Sequence, residues 1–244
     1  MIVEVADWWE RLLGAQSEPH ALIPLLTGAV ALVVVLSGGF WRLARNLLTL
    51  VHEAGHAVVA VLVGRRLQGI LLHSDTSGVT VSRGKRTGPG MVLTSLAGYP
   101  APAFLGLVFS GLIAADLLAM VLVVAAVGVL GVLVMVRNAY GVFTVVTVAG
   151  VLGVVAFVAG PNIQAAFVYL ITWFMLLGSV RPVFELQGKR RRGTARDSDA
   201  DQLARLTGMP ALLWVLVLSV LALGCLVVGG AWLLEPALPV VVTL

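Results

Sequence analysis

A chain of 244 residues that is 59% hydrophobic and 11% charged, with a mean hydropathy of +1.03, has the composition of a polytopic membrane protein and excludes a soluble domain built on one core. The net charge of +4 is concentrated in two loops, so it reads as membrane topology and argues against nucleic-acid binding. The single cysteine, Cys225, rules out an intramolecular disulfide and serves as a small filler in an apolar run.

Residues 1–20 set Trp8, Trp9, Leu12 and Leu13 among acids, which suits a short amphipathic segment at the membrane interface. Glu4, Asp7, Glu10 and Glu18 against Arg11 give the wrong charge for a signal peptide. A first span is expected from Ala21 to Phe40. After Arg42 and Arg45, a second runs from Leu47 to Val63 and carries His52-Glu53-Ala54-Gly55-His56. Residues four apart share a helix face, so both histidines can address one metal ion, with Glu53 beside them as a base. With four His and twelve Asp or Glu in the chain, chance supplies about 0.003 such motifs. Three ionisable groups in five residues of a membrane span are costly unless they have a function.

The connection 64–90 contains two β-prone runs, Gly69–His73 and Gly78–Ser82, split by a polar turn, and predicts a β-hairpin. A third span begins near Met91 and is expected to kink at Gly98-Tyr99-Pro100-Ala101-Pro102 before ending at Asp116. Further spans are expected at Leu117–Val136, Val142–Ala159, Ile163–Val180 and Pro210–Leu234, with a charged loop over 181–209. The fold class is therefore an all-α polytopic membrane protein of about seven (six to seven) helices with a short β-hairpin loop. Residues 21–244 form one membrane-embedded domain. Seven crossings place fourteen of the sixteen Lys and Arg on one side and Arg42 and Arg45 on the other. The positive-inside rule makes the richer side, with the N-terminus, hairpin and 181–209 loop, cytoplasmic. His56 then lies about 10 Å from the cytoplasmic end of its helix.

Catalytic zinc takes three protein ligands and keeps a fourth position open, so one more ligand is required. Asp116 falls at the opposite face. His73 and Asp75 lie in the hairpin loop, and Asp197, Asp199 and Asp201 precede the last span. At least two of the last three act as helix caps and balance the basic run Lys189 to Arg192.

The motif at 52–56, then Ser74-Asp75-Thr76-Ser77-Gly78-Val79-Thr80, Arg137-Asn138 and Ser198-Asp199-Ala200, resembles the M50B-like branch of the site-2 protease class of intramembrane zinc metallopeptidases, in its actinobacterial form. The resemblance implies a multi-pass protein of the bacterial plasma membrane. It also implies Zn2+ held by His52 and His56 and Glu53 as general base. The Ser-Asp-Ala stretch characteristic of the branch selects Asp199 as third ligand. The Leu-Asp-Gly stretch of better-known members is absent, since no Asp-Gly pair exists in the chain. The expected function is a zinc-dependent protease that cuts a membrane-embedded or membrane-proximal peptide near the cytoplasmic face. A catalytically silent zinc-binding protein and a metal transporter are the alternatives. Transport would stage polar groups through several spans, and Leu117 to Val180 carries Arg137 as its one charge.

Overall fold

Proline and glycine punctuate the apolar runs of this chain and decide where its helices start and turn. The structure, a computed structural model, describes residues 20–193 and 198–237. The expected interfacial segment lies outside them apart from His20, and so does Asp197. In order, the elements are α1 (Ile23–Leu36), α2 (Gly39–Leu62), β1 (Arg66–Leu72), β2 (Gly78–Arg83), α3 (Pro89–Leu96) and α4 (Pro100–Ala114). Then come α5 (Leu118–Met135), α6 (Ala139–Val158), α7 (Pro161–Arg191), α8 (Asp199–Thr207) and α9 (Ala211–Leu234). Helices α1, α3, α4 and α7 carry proline at the first or second position, where its missing N–H would have had no helical partner.

Two bent pairs stand where straight spans were expected. α3 and α4 meet at 66° across Ala97–Tyr99, the kink predicted at Gly98–Pro102. α1 and α2 meet at 100°, where Ser37 turns extended and ends α1. With α5, α6, α7 and α9, the chain has four helices long and apolar enough to cross a membrane, or up to six spans if each bent pair counts as one. A seventh would require 21–40 and 47–63 to cross separately, with Arg42 and Arg45 opposite the 181–209 loop. That placement is wrong, because Arg45 Nη1 lies 3.2 Å from Glu185 Oε2. Two features cause the difference. The bend after Leu36 brings the start of α2 beside α7, so that Arg181 donates to the carbonyls of Val35 and Ser37. Helix α7 also continues through Pro182 to Arg191, so residues 181–191 are helix and not loop.

Within lipid there is little hydrophobic drive between helices, and small residues allow the close packing that replaces it. Leu176 of α7 is fully buried between Gly106 of α4 and Gly229 of α9, where any added Cβ would come within 2.9 Å of it. Trp173 Nε1 donates to the Pro24 carbonyl of α1 at 3.0 Å, which ties that helix to the same center. A second cluster seats the hairpin: Ile70 and Leu72 of β1 pack with Leu50 and Ala57 of α2 and with Val132 and Val145 of α5 and α6.

The hairpin is antiparallel, with Ile70 opposite Thr80, Leu72 opposite Gly78, and a bulge between Leu67 and Gly69. The outer edge of β1 is covered. Arg137 N–H donates to the Ile70 carbonyl at 2.9 Å. The Asn138 amide donates to Leu72 O at 2.6 Å and accepts from Leu72 N–H at 3.2 Å. The hairpin and the α5–α6 turn thus meet, and α8 packs on α3, so the loops richest in basic residues gather at one end of the bundle.

Candidate active site

Helical spacing puts His52 and His56 on one face of α2, with their Nε2 atoms 3.1 Å apart. Asp199, the first residue of α8, brings Oδ2 to 3.2 Å from His52 Nε2 and 3.3 Å from His56 Nε2. The three donors make a nearly equilateral triangle, and they are the one group of this kind among the described residues. Tetrahedral zinc with bonds of about 2.0–2.1 Å sets neighbouring donors about 3.3–3.4 Å apart, so the triangle fits such an ion.

Two further contacts prepare the donors. His56 Nδ1–H donates to the Thr94 carbonyl at 2.6 Å. A carbonyl can only accept, so the proton belongs on Nδ1 and Nε2 presents its lone pair. That carbonyl lies in the last turn of α3, just before the break to α4, where it also accepts the Ala97 N–H at 3.3 Å. The same break lays Gly98 over the ligands. A Cβ there would fall 2.4 Å from His56 Nε2 and 2.5 Å from His52 Nε2, inside the space an ion needs. Tyr99 then stands edge-on to the His52 ring, with centroids 4.9 Å apart.

Glu53 is buried at 5% exposure, and strand β2 lies directly over it. Thr80 Oγ1–H donates to Glu53 Oε2 at 2.7 Å, and the hydroxyl is also 2.9 Å from the Glu53 carbonyl. A Cβ on Gly78 would meet Glu53 Cγ at 2.6 Å, so glycine is required for the strand to approach this closely. Thr49 Oγ1 donates to the Thr76 carbonyl at 2.9 Å and tethers the hairpin tip to α2. A cavity of about 220 Å³ opens here, lined by Arg45, His52, Glu53, Gly78, Tyr99 and Pro182 among others. Thr80 therefore holds the carboxylate of Glu53 in place. Thr80→Val is expected to lower kcat about tenfold with KM little changed, whereas Thr80→Ser keeps the rate, because one hydrogen bond to a charged group is removed in the first and kept in the second. Steady-state cleavage by the two variants, with kcat and KM read separately, checks this.

Asp199 is presented by a well-capped helix end. Ser198 Oγ accepts the Asp201 N–H at 3.3 Å and donates to Asp201 Oδ2 at 2.6 Å. Arg190, from the end of α7, pairs with Asp201. Burial pushes the Asp201 carboxyl up, but Ser198 and Arg190 outweigh it and hold the group below the usual carboxylate range. Asp201 is committed to the cap. Asp199 is burdened more heavily by burial, but with no metal bound a positive charge on His56 and hydrogen bonds from both imidazoles outweigh it and hold the carboxyl well below the usual range.

The other acids and histidine considered from the sequence are elsewhere. Asp75 sits in the hairpin turn, where Ser77 N–H and Oγ–H donate to its Oδ1 at 3.0 and 2.6 Å and lower its pKa. His73 is beside Ser77 in the same turn, and Asp116 occupies the α4–α5 connection with φ +59°. Neither His73, Asp75 nor Asp116 joins the three-donor group.

The family model described as Peptidase M50B-like matches residues 25–229, a stretch that contains every residue of this site. The chain belongs to the M50B-like family. No curated protein and no solved structure matches it. An M50B-like chain is a protease of the metallopeptidase class, and this one has the His52, His56 and Asp199 cluster able to hold a metal ion. Thr80, Thr94 and Gly98 are the M50B-like site residues whose tasks sequence reasoning did not find. Gly98 carried a signal, as part of the predicted kink, whereas the partners of Thr80 and Thr94 depend on contacts distant in sequence.

Proposed function

We propose that this protein is a zinc-dependent intramembrane peptidase with His52, His56 and Asp199 as metal ligands and Glu53 as general base. The observation that carries the proposal is the donor triangle of 3.1, 3.2 and 3.3 Å, with a buried carboxylate on the next residue. Zinc bound there would lower the pKa of a water to about 7 and polarise a carbonyl. The rest of the chemistry belongs to the chain. Glu53, held by Thr80, accepts a proton from the attacking water and passes it to the leaving amine nitrogen. Asp199→Asn is expected to lower zinc affinity by on the order of a hundredfold and cleavage with it, while Asp201→Asn keeps its zinc. Zinc content and proteolysis of a co-reconstituted membrane peptide measure both. Full occupancy and activity in Asp199→Asn would sink the ligand assignment and turn attention to His73 and Asp75.

The substrate is a membrane protein or peptide presented from the lipid bilayer. A helical substrate hides its carbonyls in backbone hydrogen bonds, so it must be extended before it is cut. Ile70 and Leu72 direct backbone polar groups toward the α5–α6 turn, so Thr80 and Gly78, opposite them, direct theirs to the free edge of β2. Gly78 borders the cleft, and an extended segment pairing with that edge would run past Glu53.

We place the protein in the bacterial plasma membrane with six crossings, each bent pair counting as one, and residues 21–244 as one domain. The hairpin connection, the α5–α6 turn and the region from the end of α7 through α8 then share the cytoplasmic side. His20 lies on the other. Outside the bent first pair and the N-terminal segment, every Lys and Arg falls on that cytoplasmic side. Cysteines introduced as Lys85→Cys and Gly160→Cys, with Cys225→Ala, test this in intact cells with an impermeant thiol reagent. Gly160→Cys should label from outside, and Lys85→Cys only after permeabilisation. Labelling of Lys85→Cys in intact cells would reverse the orientation.

A further inference from the structure

Arg45 forms part of the cleft wall without serving its chemistry. It lines the same cavity of about 220 Å³ as His52 and Glu53, and it sits two helical turns before His52 on α2. Two turns at 1.5 Å per residue separate them by about 10 Å along the helix. The ionic partner of Arg45 among the described residues is Glu185, whose Oε2 is 3.2 Å from Nη1. The other oxygen of that carboxylate already accepts from Arg181 Nε at 2.8 Å. Arg181 has further commitments: it donates to the carbonyls of Val35 and Ser37, and its guanidinium lies 4.6 Å above the Trp41 ring. Two guanidinium groups on one carboxylate leave one positive charge in excess. Because Arg181 is occupied, the excess resides on Arg45, which borders the cleft and has no further ionic partner among the described residues. Among the described residues, the nearby acids do not answer it. Glu53 is taken by Thr80, and Asp199 belongs with the two histidines. An unbalanced cation in a membrane-embedded cleft is costly unless a ligand meets it.

We propose that Arg45 is a specificity-determining residue that receives a substrate carboxylate, from an acidic side chain or from a peptide C-terminus. An extended chain advances about 3.3 Å per residue, so that carboxylate lies about three residues from the scissile bond. The planar guanidinium suits a carboxylate through paired, charge-assisted hydrogen bonds. The inference rests on the peptidase reading.

The test uses the full chain, zinc-loaded in lipid nanodiscs, and a mixture of synthetic peptides prepared with both free-acid and amidated C-termini. Cut sites are read by mass spectrometry. The wild type is expected to favour Asp, Glu or a terminal carboxylate about tenfold over Asn, Gln or the amide at that distance from the cut. Comparing internal acids with terminal ones tells the two sources apart. Arg45→Gln should lose the preference, Arg45→Lys should retain part of it, and Arg45→Glu should favour Lys or Arg at the same place. Glu185 keeps Arg181 in all three variants, so the local ion pair survives. Wild-type cuts with no acidic preference, or a preference undiminished in Arg45→Gln, overturn the role of Arg45 and leave the peptidase reading standing. Absence of any cut by the zinc-loaded wild type overturns both.

Discussion

Glu53→Gln is expected to retain zinc at full occupancy and lose cleavage by a factor of about 10² to 10⁴, the range that general-base catalysis supplies. The substitution keeps the size of the side chain and an oxygen that can accept the Thr80 hydroxyl, so the hairpin should stay seated on α2. It leaves His52, His56 and Asp199 untouched, which separates loss of the base from loss of the metal. Zinc content, thermal stability and proteolysis of a co-reconstituted membrane peptide should be read on the same preparation. Normal turnover in Glu53→Gln would refute the peptidase mechanism.

The second large effect is expected at Gly98, through geometry alone. A methyl group there would lie 2.4 and 2.5 Å from the two donor nitrogens, a separation that Cβ atoms do not adopt. Either the histidines must turn away or the α3–α4 break must open. In both cases the donor triangle is lost, and Gly98→Ala should fail to hold zinc and show no activity above background. Gly150→Ala on α6 is the matched control, because a Cβ there meets nothing within 4 Å. It should retain both zinc and activity, and a slight gain in stability is expected from the better helix propensity of alanine. If Gly98→Ala binds zinc as the wild type does, the backbone at the break has no part in shaping the site.

Local pattern made part of this site legible. The spacing of His52 and His56 needs only one helix, the kink needs only Pro100 and Pro102, and the hairpin needs two β-prone runs around a polar turn. Only the resemblance selects Asp199, since three acids at alternate positions offer no local reason to prefer the middle one. The cap distinguishes the acids: Ser198 engages Asp201, while Asp199 lies beside the two histidines. Connectivity over long distances was not legible. The turn at Ser37-Gly38 contains no proline to announce a bend of 100°, and Pro182 lies inside α7 without ending it. Those two features moved Arg45 from the far side of the membrane to the side of Glu185. The tie between Thr80 and Glu53 depended equally on how strand and helix were brought together.

The three proposed ligands come from parts of the chain far apart in sequence. His52 and His56 belong to α2, whereas Asp199 opens the short α8, just before α9. α8 is held by its Ser198 cap, by the pairing of Arg190 with Asp201, and by packing of Ala200 against Val183, Leu186, Val215 and Leu218. During synthesis the histidines and Glu53 emerge long before Asp199, the proposed third ligand. A growing or truncated chain therefore carries the base and two of the ligands but not the third. On the proposed mechanism, hydrolytic competence arrives only with α8, so an unfinished copy has no complete centre with which to attack its neighbours during membrane insertion.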